Sequence, residues 1–391
     1  MPEAQAAPGA PAASEAGAVS EAHAARRQVM AGVAAEAGAE VLVCWSSGVQ
    51  SFMYMDAPCY ASGYRSRARA ALVVGGGEPV LLVSPRLEAP RAAARAAGCT
   101  VVGADGGGLV AELARLVGGR TRGPVAVCGT NLLTGGDADA LEGALGRPLV
   151  EVTAEVDAAC ARSDAVEREA AGRATAIAEE GYARALAELR PGLREHELVG
   201  MLDQLMRELG AEDNFLLMSA SPHATSVNTP GDRILEEGDL VLAEISPGVD
   251  GVFTQICRTA VLGEPSRALV EGYELLRGAF RAGLAACQPG VPLGEVVAAV
   301  NEPIVAAGFG EYCKPPYMRT RGHGMGLGSP KPQDLRLGGT ELIEEGMAFV
   351  LHPNQYLPTV GYLMCGDPVL VEAGGARRLT SAAASLDVVG C

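Results

Sequence analysis

Two of the five histidines stand where their surroundings could support chemistry. His323 lies between glycines in "TRGHGMGLGSP" (320–330), and His352 precedes a proline in "FVLHPNQY" (349–356). An imidazole near its free pKa of ~6.5 gives or takes a proton around neutral pH and is also a common metal ligand. Cations crowd the first histidine. "YCKPPYMRTR" brings Tyr312, Lys314, Tyr317, Arg319 and Arg321 close to it, a set able to clamp an acidic substrate. A second arginine cluster, "SGYRSRARA" (62–70), holds Arg65 and Arg67. The glycine-rich "VVGGGEP" and "GADGGGLV" lack both the dinucleotide pattern at a strand-to-helix junction and the phosphate-loop lysine. They read as turns.

The bulk numbers bound what those residues serve. A chain of 391 residues suggests two domains, and 48% apolar composition is enough for a core in each. Net charge is −16 with no dense basic block, which argues against a nucleic-acid partner. The ten cysteines form no C-x-x-C pair and no paired zinc spacing, as expected of a reduced, cytosolic chain. No apolar run approaches the ~18–20 residues of a membrane span. Residues 1–24 are Ala-, Gly-, Pro- and Glu-rich without a signal-peptide pattern, and read as a disordered tail.

The elements that must position the histidines alternate in kind. Residues 25–160 read as an α/β domain: helix in "RRQVMAGVAAEAG", a buried strand in "AEVLVCW", and two strands around a glycine turn in "ARAALVVGGGEPVLLVS". More helices and strands follow. At 161 the texture changes to a long helix, for which Ser163 is the expected N-cap with Asp164 and Glu167 in its first turn. A second helix ends at Gly210. Then come strands turning at Gly248–Gly251, two more helices (266–287 and 293–307) and a final β-block. Helix pair, strands, helix pair, strands: the order predicts a pseudo-duplicated α+β domain over 161–391.

Four stretches carry a family resemblance, in order and spacing. They are "ARSDAVEREAAGRA", "GDLVLAEISPGVDGVFTQICRT", "RGHGMGLGSP" and "EEGMAFVLHPNQY" with "GYLMCGDPVLVEAGGARRLT". Together they resemble the pita-bread fold family of methionine aminopeptidase, Xaa-Pro aminopeptidase, prolidase and creatinase. The likeness covers roughly 160 to 385 and implies an α/β N-terminal domain followed by an α+β pita-bread catalytic domain. It also implies a site. Family peptidases bind two metal ions with Asp, Asp, His, Glu and Glu. At the matching positions this chain has Glu244, Gln255, His323, His352 and either Cys365 or Gly366. Only the histidine is unchanged. A further family histidine falls on Val227, four residues after His223.

Losing that many carboxylates makes a two-cation site implausible, because their charge offsets the repulsion between the ions. Three readings follow. In the first, a creatinase-like enzyme, hydrolase or lyase, breaks or rearranges a C–N bond of a small polar substrate bearing a carboxylate. It uses no cofactor. His323 and His352 act as acid and base with Glu244, Gln255, Cys257 and Cys365 around them, and a thiolate nucleophile would need one of those cysteines lowered in pKa by an imidazole. His223, Lys314, Tyr317, Arg319 and Arg321 would bind substrate. The resemblance implies a homodimer in which Arg65 or Arg67 reaches across to the neighbour's pocket, and assigns Arg258 a structural role. In the second reading, Glu244, His323 and His352 hold one divalent transition metal, Fe or Zn. In the third, the domain is a non-catalytic binding scaffold.

Overall fold

The computed structural model describes residues 13–48, 55–105, 108–325, 332 and 334–390. It forms two compact units, one ending at Cys160 and the other running on from Ala161.

The first unit is built on a mixed six-stranded sheet in the order β4-β3-β2-β1-β5-β6. The strands are β1 (Val41–Ser46), β2 (Ala70–Val74), β3 (Val80–Val83), β4 (Thr100–Gly103), β5 (Val125–Cys128) and β6 (Leu149–Glu151). All six residues of β1 are buried, as the unbroken apolar run of a central strand requires. Helices α1 (Ala13–Glu36), α2 (Ala57–Ser62), α3 (Ala89–Ala93), α4 (Gly108–Arg120), α5 (Gly135–Leu145) and α6 (Thr153–Ala159) complete the unit. Residues 13–24, expected to be disordered, are helical. The alanine-rich run after Pro11 favours helix. Further along, His23 and Arg26 reach the Tyr60 carbonyl at 2.8 and 2.9 Å and tie α1 to the C-terminal end of α2.

The second unit repeats one plan. Helices α7 (Ala165–Glu188) and α8 (Glu195–Glu208) cover a sheet of β7 (Asp213–Ser221), β8 (Leu240–Val249), β9 (Val252–Phe253) and β10 (Ile256–Leu262). Helices α9 (Arg267–Ala286) and α10 (Leu293–Ile304) cover a second sheet, β11 (Gly322–Gly324), β12 (Ala348–Leu351), β15 (Asp367–Glu372) and β16 (Gly375–Arg378). Between the last two pairs in sequence lies a hairpin, β13 (Gln355–Leu357) with β14 (Gly361–Leu363). Strand β17 (Leu386–Val389) closes the first sheet beside β10.

Local chemistry explains most of these boundaries. The N-cap of α7 is Asp164 rather than Ser163. Asp164 and Glu167 form a reciprocal capping box, while the Ser163 N–H donates to the Gly346 carbonyl at 2.9 Å. Asp250 and Gly251 both have positive φ (49° and 77°), the backbone a tight hairpin turn demands. Leu293–Tyr312 is long and apolar enough to cross a membrane by length and composition, and its Val296, Val297, Val300 and Ile304 are fully buried in the second core.

The two sheets meet at one point. Cys257 of β10 and Gly366, just before β15, exchange both backbone hydrogen bonds (3.0 and 3.2 Å). Arg258 braces this seam. Its guanidinium donates to the carbonyls of Cys257 (3.0 Å) and Gly366 (2.8 Å), and pairs with Asp367 at 2.8 Å with both side chains buried. Asp367→Asn leaves that guanidinium buried without a counter-ion. The expected loss is about 3–5 kcal/mol in urea unfolding, whereas replacing the pair together (Arg258→Met with Asp367→Leu) recovers most of it.

Candidate active site

The side chains at the family's ligand positions stand along one row that crosses the seam. Alternation along β8 points Ala243 and Ile245 into the helix-covered core and leaves Glu244 on the other face. Cys257 is directly opposite Glu244. Gly366 is opposite Cys257, and His352 follows. A Cβ placed on Gly366 would lie 2.5 Å from the His352 Cβ, too close for any side chain. Three strand spacings, ~14 Å along the ladder, therefore separate Glu244 from His352. Beyond His352, the His323 ring sits edge-on at 5.5 Å between centroids.

The hydrogen-bond partners along the row are neutral groups. Gln255, wholly buried, donates to the Cys257 sulfur at 3.4 Å and accepts from Ser246 at 3.4 Å. Asn354 donates to the same sulfur at 3.7 Å and accepts from the Cys365 N–H at 2.9 Å. The His323 Nδ1 lies 3.0 Å from the Gly324 carbonyl and acts as donor, so its Nε2 carries the lone pair. The His352 Nδ1 is buried with no hydrogen-bond partner among the described residues. Tyr362 of β14 shares a hydrogen bond with Asn354 and lies near enough to Glu244 and Cys257 to feel their charge.

Burial pushes these groups toward their uncharged forms. The Glu244 carboxyl is pushed up to about 7 by desolvation, opposed only by the Arg319 guanidinium. His352 is pushed down to about 3, first by burial and then by the neighbouring His323, with Arg321 and Arg319 adding to the effect. His323 also falls below its ordinary value, again through burial. Burial lifts the Cys257 thiol far above its usual range and the Cys365 thiol to about 12. Near pH 7 both imidazoles are neutral and both cysteines are thiols, while Glu244 titrates in this range.

The structure sorts the residues singled out in the sequence. Glu244, Gln255, Cys257, His323 and His352 line the row. Cys365 does not. Its side chain packs with Leu240, Tyr273 and Leu276 on the opposite face, so the ligand position that was ambiguous falls on Gly366. Arg321 is not at the rim. It is fully buried, bonded to Asn301 (2.7 Å), the Asn354 carbonyl (2.8 Å), Gln355 (2.8 Å) and Cys313 (3.5 Å), with no carboxylate among these partners. Arg319, Lys314, Tyr317 and His223 are exposed, and His223 meets the Tyr356 hydroxyl at 3.3 Å. Val227 packs against the buried Cys257 cluster. In the first unit Arg65 is half-buried and close enough to Asp56 to stabilise its charge, while Arg67 is exposed. The stretch 326–331 of the histidine segment lies outside the described residues. Tyr362 and Asn354 were not found from the sequence. Their only signal is a short aromatic hairpin, "NQYLPTVGYL", whose register is invisible in one dimension.

Two helix-and-sheet halves joined across a cleft define a pita-bread protein. The description "Metallopeptidase family M24" matches residues 169–375, and the chain belongs to that family. It is 30% identical over 211 residues to the Xaa-Pro dipeptidase of Pyrococcus furiosus, covering 53% of this chain and 60% of that one. It is 28% identical over 214 residues to the uncharacterized peptidase YqhT of Bacillus subtilis, covering 53% and 58%. The matches thus span little more than half the length of these relatives. In fold it is similar to the X-Pro aminopeptidase of Thermotoga maritima, with a TM-score of 0.82 at 19% identity, covering 93% of this chain and 99% of that one.

The family is named for its metal, and the donors present here do not fit a metal pair. Gly366 offers no ligand atom and has no room for one. The Gln255 amide is engaged with Cys257 and Ser246. The row holds a single carboxyl, Glu244, where offsetting the repulsion between two cations takes several. Among the described residues no three His, Cys, Asp or Glu side chains come together as a ligand set. The trio Glu244, His323 and His352, considered above for one metal, is not among such sets in the described residues.

The shift at Glu244 can be checked without a substrate. Its proton leaves near 4.5 in the unfolded chain and near 7 in the folded one, so the folded state binds more protons between those values. Stability is full below pH 4.5, falls as pH rises toward 7, and stays lower above it, by at most about 3 kcal/mol. Glu244→Gln removes the penalty. The variant should match the parent in urea unfolding at pH 4.5 and exceed it by about 1–3 kcal/mol at pH 8. A difference that ignores pH would show that the carboxyl has no such shift.

Proposed function

We propose that this protein is a creatinase-like hydrolase that cleaves a C–N bond in a small, carboxylate-bearing substrate, with Glu244 as the acid–base group. What supports this most is one juxtaposition. A carboxyl poised near pH 7 by burial feels the opposing charge of the exposed Arg319, and Arg319 makes no hydrogen bond or ion pair among the described residues. The first is what general acid–base work at neutral pH requires. The second is a free fork for a substrate carboxylate. Membership in a peptidase family favours hydrolysis over elimination.

In this reading the ionised Glu244 takes a proton from water while the water oxygen bonds to the carbon. The C–N bond then breaks and the same proton passes to the departing nitrogen. Tyr362, whose phenol keeps its proton because burial raises its pKa, is a donor for the oxygen that gains charge. His323 and His352 serve as neutral hydrogen-bonding groups. The His352 imidazole, pushed down to about 3, is a poor base at pH 7, and burial shifts His323 the same way, so this reading gives the proton-transfer role expected of them to the carboxyl.

A panel of N-acyl amino acids, dipeptides and guanidino acids, assayed from pH 5 to 9, tests the assignment. The rate should rise with pH and reach half its maximum near 7, and Glu244→Gln should lower it by about 10²–10⁴-fold. Chelator should leave it unchanged. An activity that survives Glu244→Gln but dies in His323→Asn, or one that needs an added divalent ion, would overturn the proposal.

A further inference from the structure

Four of the nine tyrosines gather on one strip beside the cleft, in a chain with only 4% aromatic residues. Tyr312 and Tyr317 meet edge to face at 4.8 Å between ring centroids. Tyr317 stacks on Tyr356 at 5.5 Å with the planes 19° apart, and Tyr312 lies 5.7 Å from Tyr356. Tyr356 stands directly opposite Tyr362 in the β13–β14 hairpin. Such cross-strand partners share a face, with Cβ atoms ~4.5–5.5 Å apart. Tyr362 in turn is the ring beside Glu244 and Cys257. The strip therefore runs from solvent, where Tyr317 is 41% exposed, down to the acid–base group.

Rings that pack for stability alone belong in the core. Here Tyr317 is exposed while Tyr312, Tyr356 and Tyr362 are half-buried, and an aromatic cluster that leads from solvent to a reactive carboxyl marks a binding surface. Its charge selects the ligand. Bare aromatic faces suit cations, including quaternary ammonium groups. Lys314 and Arg319, both exposed, lie within three residues of Tyr317 in the chain and outnumber Glu311 beside Tyr312, so the local charge favours an anion over a cation.

We infer that the Tyr312–Tyr317–Tyr356–Tyr362 strip is a binding platform for the planar aromatic part of a substrate whose carboxylate is held by Arg319. The inference deepens the proposed hydrolase and rests on it only for which bond is cut. The ligand class is an aryl-bearing acid, such as an N-aroyl amino acid, with the ring on the tyrosines and the C–N bond toward Glu244.

Direct binding to the full chain tests this with N-benzoylglycine, N-acetylglycine and benzyltrimethylammonium, followed by calorimetry. N-benzoylglycine should bind about tenfold tighter than N-acetylglycine, the worth of one good aromatic contact. Tyr317→Ala, at an exposed position, should reduce that ratio to within about threefold. Tyr356→Leu, checked for folding by its thermal melt, should do the same. Arg319→Ala should weaken both acids alike and leave the ratio intact. Equal binding of the two acids, a ratio that survives both tyrosine variants, or tighter binding of the ammonium ion would each overturn the inference. No turnover is needed. Failure here leaves the role of Glu244 standing, and a Glu244→Gln variant with the parent's pH profile leaves the platform standing.

Discussion

The cleft depends on the pairing of two peptide groups, those of Cys257 and Gly366. Their reciprocal hydrogen bonds join one sheet to the other, and the Arg258 guanidinium grips both carbonyls while Asp367 balances its charge. A side chain at position 366 would strike His352, so this close approach needs glycine. The family's last carboxylate is thus replaced by a backbone contact. Glu244 and His352 take their separation from the seam, since strand spacing sets distances along the row.

Burial then acts on the row with opposite signs. Each group loses hydration when charged, so the carboxyl rises toward neutrality while the imidazoles fall away from it. In a cage with several anions and two cations these effects would be overwhelmed by direct charge. Here Arg319 is exposed and Arg321 is surrounded by neutral acceptors, so desolvation dominates. One carboxyl emerges with a neutral-range pKa. It faces a thiol and a phenol that both keep their protons.

Much of this was legible in one dimension, and the failures have physical causes. Helices and hairpin turns were readable because caps and turns are local: Asp250-Gly251 turns where its residue types demand. The cap falls on Asp164 and not Ser163 because Glu167, three residues after Asp164, completes the capping box, whereas three residues after Ser163 stands Val166. Cys365 was placed in the site because period-two alternation cannot say which of two adjacent residues faces inward, and the seam chose Gly366. Arg321 looked like a rim cation because charged residues are seldom fully buried. Asn301, Gln355 and the Asn354 carbonyl, from distant stretches, make its burial tolerable.

By itself the sequence determined which chemical groups this protein owns. It has one carboxyl, one amide and two imidazoles at the family's ligand positions, on elements whose order and caps are encoded within a few residues. Only the tertiary structure decided how far apart those groups stand, which are buried, and which partners they share. Those quantities come from pairings between residues a hundred positions apart, as between Cys257 and Gly366 or Glu244 and Tyr362. A pKa responds to that three-dimensional environment, which is why the neutral-range value falls on a glutamate and not on the conspicuous histidines.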